Sequence, residues 1–317
     1  MHPTQPRTTT LRTANPALPS IYRGRFAPSP TGPLHVGSLI AAVGSYLDAR
    51  AHHGEWLLRM ENLDQPRTVP GTADGILRTL EALGFQWDGK VLYQSTRDEK
   101  YREALTRLQA AGQVYPCACT RREIADSATG GIDGPVYPGT CRSGLPAGRT
   151  ARAIRVKTAG AHISFEDAIQ DRISQDLEQQ VGDFVIKRAD GLFAYQLAVV
   201  VDDAEQGITH VVRGADLLDS TPRQIHLQQL LGYPVPRYAH LPVAVNAQGE
   251  KLSKQTFAEA ISADRKVPLL NTVLQWLGQD RVDDCDPQDM PAFWKAAIAG
   301  WRRERIPRLR QQAAPAG

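Results

Sequence analysis

The sequence has no long hydrophobic run and few cysteines. Its 317 residues contain no stretch of ~20 apolar residues, which excludes a membrane-spanning helix. The N-terminal segment also lacks the apolar core of a secretory signal. Only four cysteines are present, so a disulfide framework is not expected. These absences predict a cytoplasmic protein with no membrane partner, and nothing in the sequence indicates an obligate protein partner.

The sequence also lacks a strong net charge. Its formal net charge is +3 at pH 7, so a nucleic-acid partner would have to contact a local basic patch. One candidate patch is residues 301–310, WRRERIPRLR. We favour its interpretation as the solvated face of a helix. The alternative is a set of phosphate contacts made by Arg302, Arg303, Arg305, Arg308 and Arg310.

Composition and apolar spacing divide the chain into five segments. Residues 1–20, with four prolines and five threonines, are predicted to be disordered. In residues 21–112 predicted strands and helices alternate, which is typical of an α/β fold with a parallel sheet. Glycine, proline and short polar runs then mark 113–190 as an inserted domain. The α/β pattern resumes over 191–250, and 251–317 is predicted to be a loop followed by a short helical region.

A turn-rich segment, PSPTGPLHVGS, joins the first predicted strand to the first predicted helix. Ligands bind at this edge of open α/β sheets, and a helix N-terminus offers backbone N–H groups to phosphate. The segment therefore predicts a nucleotide site in which His35 donates to a phosphate oxygen. A Pro/Gly turn with a helix-capping histidine is the alternative. The candidate ATP-binding residues are Pro28, Ser29, Pro30, Thr31, Gly32, Pro33, Leu34, His35, Val36, Gly37 and Ser38.

A second motif, KLSKQ, follows a predicted strand and a Gln-Gly turn. Its two lysines lie three residues apart, so both could contact the leaving phosphates of a nucleotide as charge develops there. An exposed basic loop is the alternative interpretation when the motif is taken alone. The candidate ATP-binding residues here are Lys251, Leu252, Ser253, Lys254 and Gln255.

Together the two motifs resemble the HIGH and KMSKS signatures of class I aminoacyl-tRNA synthetases. The runs RFAPSPTGPLHVGS, RMENLD, AYQLAVVVDD and ITHVVRGADLLDSTPRQ are similar to the glutamyl group of that class, over residues 22 to about 260. The resemblance implies a Rossmann-like parallel sheet and catalytic roles for His35 and Lys254. Ser38 and Gln255 depart from the two signatures, and we expect both to face the surface without abolishing activity.

The resemblance also implies a pocket for glutamate. A substrate with two carboxylates and one ammonium needs two cations and one anion, which Arg25, Arg213 and Glu61 supply. A surface ion pair is the alternative for each of these charges alone. The residues that the resemblance places in this pocket are Arg25, Phe26, Ala27, Pro28, Ser29, Glu61, Tyr195 and Arg213.

Three of the four cysteines, Cys117, Cys119 and Cys141, fall within 25 positions of one another. Clustered thiolates favour zinc or another soft metal, and three buried thiols are the alternative. Tyr137 enters as a fourth ligand only through a resemblance to shortened relatives of the glutamyl group. That resemblance implies one structural Zn²⁺ per chain, within an inserted domain that contacts tRNA. Cys285 is predicted to be a small buried apolar residue.

Those shortened relatives glutamylate queuosine, a modified base in the anticodon of tRNA(Asp). The 63 residues that follow Lys254 are too few for an anticodon-binding region, so we expect none. The resemblance therefore implies L-glutamate, ATP with Mg²⁺, and queuosine-containing tRNA(Asp) as substrates. A truncated enzyme that charges a tRNA 3′ end and a non-catalytic tRNA-binding paralogue are the alternatives. No residue stands out as the general base of the transfer step.

Overall fold

The first half of the core alternates strands and helices, as the sequence predicts. The computed structural model describes residues 18, 21–127, 129–132, 134–251, 265–283 and 285–315, so nearly all of the N-terminal segment predicted to be disordered lies outside it. Strand β2 is parallel to both β1 and β3. The elements are β1 (Arg23–Phe26), α1 (Val36–Ala51), β2 (Glu55–Met60), α2 (Thr72–Ala82), β3 (Leu92–Tyr93) and α3 (Asp98–Ala110).

Helix α1 lies at the centre of the largest hydrophobic core. Its apolar residues recur at helical spacing, and Leu39, Val43 and Leu47 are fully buried. Residues of β1 and β2 belong to the same core, so one face of α1 packs on the sheet. The helix therefore fixes the segment that precedes it, which includes His35, at the carboxyl edge of β1.

The segment predicted as an insertion forms two small sheets. One is antiparallel with the order β10-β7-β4, and the other pairs β5 with β6, while the hairpin β8-β9 belongs to a larger sheet. This hairpin reaches the core, because β8 pairs with β12 through Asp167 and Tyr238. The elements are β4 (Val114–Cys117), α4 (Arg121–Ser127), β5 (Gly130–Gly131), β6 (Gly134–Pro135), β7 (Ala153–Val156), β8 (His162–Asp167), β9 (Asp171–Asp176), α5 (Leu177–Gln180) and β10 (Val185–Lys187).

The second half of the core lies beside β1. Strands β11 and β12 are parallel, and Thr209, just before β11, donates its backbone N–H to the Arg23 carbonyl at 2.9 Å. Strands far apart in sequence thus become neighbours, which opens a crevice at their carboxyl ends. The elements are α6 (Tyr195–Glu205), β11 (His210–Gly214), α7 (Thr221–Leu231), β12 (Arg237–Leu241) and β13 (Val243–Val245).

The start of α7 differs by one residue from the sequence pattern, which predicts Thr221 as the N-cap. Ser220 holds the cap position and Thr221 is the first helical residue. The Thr221 side chain is buried and accepts a hydrogen bond from Arg213 at 2.8 Å. Its hydroxyl therefore holds Arg213, which lines the crevice, and does not cap the helix.

The C-terminal region is helical at first and then extended. It contains α8 (Lys266–Trp276), α9 (Met290–Gly300) and β14 (Gln311–Ala313), and β14 pairs in parallel with β13. The prediction of a helix over 301–310 was wrong, because only a 3₁₀ turn at Arg303–Arg305 interrupts an extended path. None of the helices in the described part of the chain combines the length and hydrophobicity that a bilayer crossing needs.

Four of the five arginines of this extended segment contact the chain's own carboxylates. Arg303 contacts Asp48 at 3.2 Å, while the guanidinium of Arg305 donates to Asp280 at 2.7 and 2.8 Å. The other two pairs are Arg308 with Asp171 at 2.5 Å and Arg310 with Asp219 at 3.3 Å. These contacts attach the segment to the rest of the fold.

Cys285, predicted to be buried, is partly buried against the main core.

Candidate active site

A crevice lies where β1 and β11 end, with a volume of about 220 Å³. All eight residues of the predicted glutamate pocket line it, from Arg25 to Ser29 together with Glu61, Tyr195 and Arg213. The first motif contributes Leu34, His35, Gly37 and Ser38 as well. Five predicted ATP-binding residues are not among the lining residues: Pro30, Thr31, Gly32, Pro33 and Val36.

The second predicted motif is described only at its first residue. Lys251 lines the crevice, and its ammonium contacts the Asp216 carboxylate at 2.5 Å. Asp216 follows β11 and lines the crevice too. The remaining residues of the motif, Leu252, Ser253, Lys254 and Gln255, lie outside the described residues. The motif therefore begins at the crevice.

His35 and Ser38 act as a pair in the first turn of α1. His35 precedes the helix, and its carbonyl accepts the Leu39 N–H at 2.9 Å. Residues three apart share a helix face, and the Ser38 hydroxyl lies 3.0 Å from Nε2 of His35. The expectation that Ser38 faces the surface was wrong, since it is partly buried and lines the crevice. Its hydroxyl orients the imidazole ring.

Two arginines share one buried carboxylate behind the crevice. Arg25 donates from Nε to Asp203 at 3.2 Å, and Nη2 of Arg59 contacts the same carboxylate. All three side chains are at most 6% exposed, so the ion pairs are screened little by solvent. The pKa of Asp203 is lowered because the two guanidinium groups outweigh the burial that opposes ionisation. Asp203 therefore holds Arg25, which lines the crevice, and Arg59 behind it.

Asp203 was missed by the sequence reasoning. The available signal was the run VVVDD, which places two acidic residues at the end of a continuous apolar stretch. Carboxylates rarely enter such a stretch unless they are paired. The other one, Asp202, accepts from Gln94 at 2.8 Å, from Arg97 at 3.0 Å and from Tyr101 at 2.8 Å.

Glu61 is one of two carboxylates that line the crevice, and the other, Asp216, is paired with Lys251. Burial raises its pKa to about 7, although Arg59 and Arg25 act in the opposite direction. Nε of Arg59 lies 3.9 Å from the Glu61 carboxylate. A cation placed in the crevice would compensate the loss of solvation and favour the ionised form. This arrangement suits a ligand that brings an ammonium group.

Arg213 is held by hydrogen bonds on several sides. Its Nη2 donates to Thr221 Oγ1 and to Gln224 Oε1, both at 2.8 Å, and its Nη1 lies 3.4 Å from the Tyr195 hydroxyl. The guanidinium is 5% exposed and lines the crevice beside Tyr195. Because Nε also donates to His240, and both N–H groups of Nη2 have acceptors, Nη1 is the nitrogen of this fixed group that can meet a carboxylate.

The three clustered cysteines lie together, away from the crevice residues. Their Sγ atoms are within 4.8 Å of one another, and those of Cys119 and Cys141 are 3.6 Å apart. Tetrahedral Zn–S bonds of about 2.3 Å correspond to S···S separations of about 3.8 Å. The Tyr137 hydroxyl lies 3.3 Å from Cys117 Sγ and 3.5 Å from Cys119 Sγ. These groups could hold a metal ion.

Arg155 accompanies the cysteine cluster. Its guanidinium lies 3.9 Å from the centre of the Tyr137 ring, and its Nε donates to Cys117 Sγ at 3.3 Å. Burial opposes ionisation of the Cys117 thiol, but hydrogen bonds from Tyr137, the Cys119 amide and Arg155 lower its pKa. The surroundings therefore favour a thiolate, the form that binds metals.

Comparisons with known proteins show the family of the chain. Residues 22–267 match the family model of class I tRNA synthetases (E and Q), catalytic domain. The glutamyl-Q tRNA(Asp) synthetase of Dechloromonas aromatica is 62% identical over 291 residues, which cover 91% of this chain and 97% of the relative. The protein of the same name from Aromatoleum aromaticum is 59% identical over 294 residues, 93% of each chain.

Solved structures support the fold. A glutamate tRNA ligase from Elizabethkingia meningosepticum superposes with a TM-score of 0.75 at 24% identity, over 93% of this chain and 67% of that one. The glutamate-tRNA synthetase of Elizabethkingia anophelis gives a TM-score of 0.74, also at 24% identity, over 91% and 67%. The chain therefore belongs to the class I tRNA synthetase (E and Q) family and, within it, to the glutamyl-Q tRNA(Asp) synthetases.

Proposed function

We propose that this chain is a ligase-type enzyme that activates L-glutamate with ATP and transfers it to the queuosine base in the anticodon of tRNA(Asp). The observation that carries the proposal is the charge pattern of one crevice. Arg25 and Arg213 line it together with Glu61, which matches the two carboxylates and one ammonium of glutamate. Relatives 62% and 59% identical carry the name of this activity.

In the activation step, glutamate binds at the carboxyl ends of β1 and β11. Glu61 receives the α-ammonium, while Arg25, Arg213 and Tyr195 orient the carboxylates. The α-carboxylate attacks the α-phosphate of ATP and pyrophosphate leaves. The N-terminus of α1 and His35, oriented by Ser38, stabilise the charge that develops on the α-phosphate. Mg²⁺ bound with ATP would offset phosphate charge.

The lysines of the second motif act on the leaving group in this proposal. Lys251 lies at the crevice next to Asp216, and Lys254 follows three residues later. Their ammonium groups meet the charge that grows on pyrophosphate as the P–O bond breaks, so they lower the barrier and not only the substrate KM.

A groove beside the cysteine cluster suits an RNA partner. It has a volume of about 840 Å³ and runs between Cys119 and the segment that precedes α6. Among its described lining residues five are arginines and two are aspartates, so its formal charge is positive. The arginines are Arg67, Arg121, Arg152, Arg155 and Arg188, and the aspartates are Asp64 and Asp190. We assign this groove to the stem-loop of the tRNA.

We propose one structural Zn²⁺ held by Cys117, Cys119, Cys141 and Tyr137. The separations of the sulfur atoms and the clustering of soft donors support this metal. The ion would clamp residues 113–190, the proposed tRNA-contacting domain, which lies between the two halves of the nucleotide-binding domain at 21–112 and 191–250.

Metal analysis tests the zinc proposal. We expect about one zinc per chain, lost in Cys119→Ser with a fall in thermal stability. Cys285→Ser is the matched control and should keep the metal, because Cys285 packs against the main core and not in the cysteine cluster. Full zinc content in Cys119→Ser would contradict the proposal.

Locating the transferred glutamate tests the proposed function. The protein is incubated with ATP, labelled glutamate and tRNA(Asp) that either contains or lacks queuosine. We expect glutamyl-adenylate without tRNA, and label only on queuosine-containing tRNA(Asp), including tRNA whose 3′ end has been trimmed enzymatically. If trimmed tRNA(Asp) accepts no glutamate while intact tRNA(Glu) does, the enzyme charges a 3′ end and the proposal is wrong.

A further inference from the structure

A buried chain of three side chains connects the β8-β9 hairpin with the crevice. Nδ1 of His240, in β12, lies 2.6 Å from the Asp167 carboxylate at the end of β8. On the other side of the ring, Nε of Arg213 donates to His240 Nε2 at 3.1 Å. The side chains of Asp167 and His240 are both 0% exposed, so no solvent competes for these hydrogen bonds.

The Asp167 carboxylate is itself firmly placed. Its Oδ1 accepts from the backbone amides of Ile169 at 3.0 Å, Gln170 at 2.9 Å and His240 at 3.1 Å. Burial opposes its ionisation, but the hydrogen bonds from His240 and these amides lower its pKa. The carboxylate is therefore a fixed, charged acceptor. An ionised carboxylate only accepts hydrogen bonds, so the His240 nitrogen that lies 2.6 Å from Oδ2 must carry a proton.

The tautomer of His240 follows from this acceptor. Burial lowers the pKa of His240 to about 4, so the ring is neutral and carries one N–H at neutral pH. Asp167 requires that proton on Nδ1, which leaves Nε2 as an acceptor. Nε2 is the atom that Arg213 faces, and the Thr221 hydroxyl lies 3.1 Å from it.

We propose that Asp167 and His240 are positioning residues that orient the Arg213 guanidinium for a carboxylate of the amino-acid substrate. The proposal rests on the proposed function, in which Arg213 binds glutamate. Arginine loses substantial side-chain entropy when it is held in one orientation, and a preset orientation removes that cost from substrate binding. The hydrogen bond to His240 Nε2 and those to Thr221 and Gln224 together preset it.

Asp167→Asn tests the proposal with a nearly isosteric change. The amide oxygen can still accept from the backbone amides, but an NH₂ group replaces Oδ2 and faces His240 Nδ1. The imidazole proton must then move to Nε2. There it faces the N–H of Arg213, so the hydrogen bond between the two side chains is lost. We expect the KM for glutamate to rise about tenfold or more. The KM for ATP should stay within about twofold, because the groups proposed to bind ATP belong to other segments.

Nitrogen NMR of the histidine rings supplies a readout that a merely structural role would not move. In the wild type at neutral pH, we expect His240 to be protonated at Nδ1 and not at Nε2, and the reverse in Asp167→Asn. This measurement does not depend on the proposed function. Glutamate-dependent ATP–pyrophosphate exchange by the wild type tests that function separately.

His240→Gln is the second variant, because its side-chain oxygen can accept from Arg213 without a tautomer to set. We expect it to retain a lower KM for glutamate than His240→Leu, and adding Asp167→Asn to it should change that KM less than about twofold. The proposal is overturned by protonation at Nε2 in the wild type. It is also overturned if the KM values for glutamate and ATP change in equal proportion in Asp167→Asn.

Discussion

The buried arginines at and behind the crevice differ in burial and in partners from Arg121 and Arg152, two of the arginines that line the proposed RNA groove. Arg25, Arg59 and Arg213 are at most 5% exposed and contact defined buried groups. In the groove, Arg121 and Arg152 are exposed, and the lining holds more arginines than aspartates. A buried arginine with fixed partners can distinguish one small ligand by geometry. Exposed arginines act through their summed field, which suits a polyanion of many conformations.

The C-terminal arginines differ from both groups, because they are exposed or half-buried and yet are paired with carboxylates. Residues 301–310 hold five arginines, yet Arg303, Arg305, Arg308 and Arg310 each contact a carboxylate of the same chain. Their charge is largely neutralised locally. Density of basic residues along the sequence is therefore a poor guide to RNA contact, whereas the balance of charges on one surface is a better one.

Removing the partner of the buried arginines should have the largest effect. Asp203→Asn leaves the charges of Arg25 and Arg59 without their shared buried carboxylate. We expect a loss of about 3 kcal/mol in the free energy of unfolding, measured by urea denaturation. The matched control is Asp171→Asn, which removes the partner of Arg308 from a pair whose side chains are 62% and 70% exposed. Its effect should be below about 1 kcal/mol. Equal losses in the two variants would contradict the comparison.

Lys254→Ala should slow glutamate activation without weakening glutamate binding to the same degree. Loss of a contact that forms with the transition-state charge typically costs ~3 kcal/mol, or about 10²-fold in rate. The measurement is ATP–pyrophosphate exchange at saturating glutamate, with Lys90→Ala, an exposed lysine outside both motifs, as the control. An exchange rate within a factor of about two of the wild type would refute the role assigned to Lys254.

Much of the fold and of the crevice follows from the sequence. The alternation of strands and helices predicted for residues 21–112 is present, and helix α1 begins within the first motif, at Val36. The eight residues proposed for glutamate lie in one crevice, because carboxyl ends of neighbouring parallel strands meet at one sheet edge. Short-range patterns predict the strands and helices, since alternation and helical spacing depend only on nearby residues, whereas the set of eight pocket residues came from the family resemblance.

The remaining features depend on contacts between distant residues. Asp203 lies 144 positions from Arg59, and Asp167 lies 73 from His240. The extended path of residues 301–310 depends on pairing between β14 and β13, and on carboxylates as distant as Asp48. Local pattern does not encode such pairings. Ser38 is different, because its i, i+3 spacing from His35 was visible in the sequence.

The pH dependence of glutamate binding tests the role assigned to Glu61. Because burial raises the Glu61 pKa to about 7, the carboxylate is largely protonated at pH 6 and largely ionised at pH 8. The substrate ammonium requires the ionised form, so the KM for glutamate should be about tenfold higher at pH 6 than at pH 8. Exchange assays across this range measure it. Glu61→Gln should give a high KM that varies little with pH, and a wild-type KM that is flat or falls at low pH would contradict the assignment.

The smallest effect is expected for substitutions in the groove. They should weaken tRNA binding and leave activation at the crevice unchanged. Arg121→Ala combined with Arg152→Ala removes two exposed cations from its lining. Each lost phosphate contact should reduce the magnitude of the slope of log affinity against log salt by about 1. The slope for the double variant should therefore be smaller by about 2. At moderate salt we expect transfer to queuosine-containing tRNA(Asp) to fall several-fold through weaker tRNA binding. ATP–pyrophosphate exchange should be unchanged, because the proposed activation step uses no tRNA.

Arg308→Ala combined with Arg310→Ala is the matched control for this prediction. It removes the same number of charges from the C-terminal segment, where Asp171 and Asp219 already oppose them. Because those two arginines are locally neutralised, the salt slope of tRNA binding should stay close to the wild-type value. The reverse result, a reduced slope for the C-terminal pair and a normal one for the groove pair, would transfer the RNA contact to residues 301–310. Such a result would show that the tRNA displaces the carboxylates from these arginines on binding, and that charge density along the sequence was the better guide.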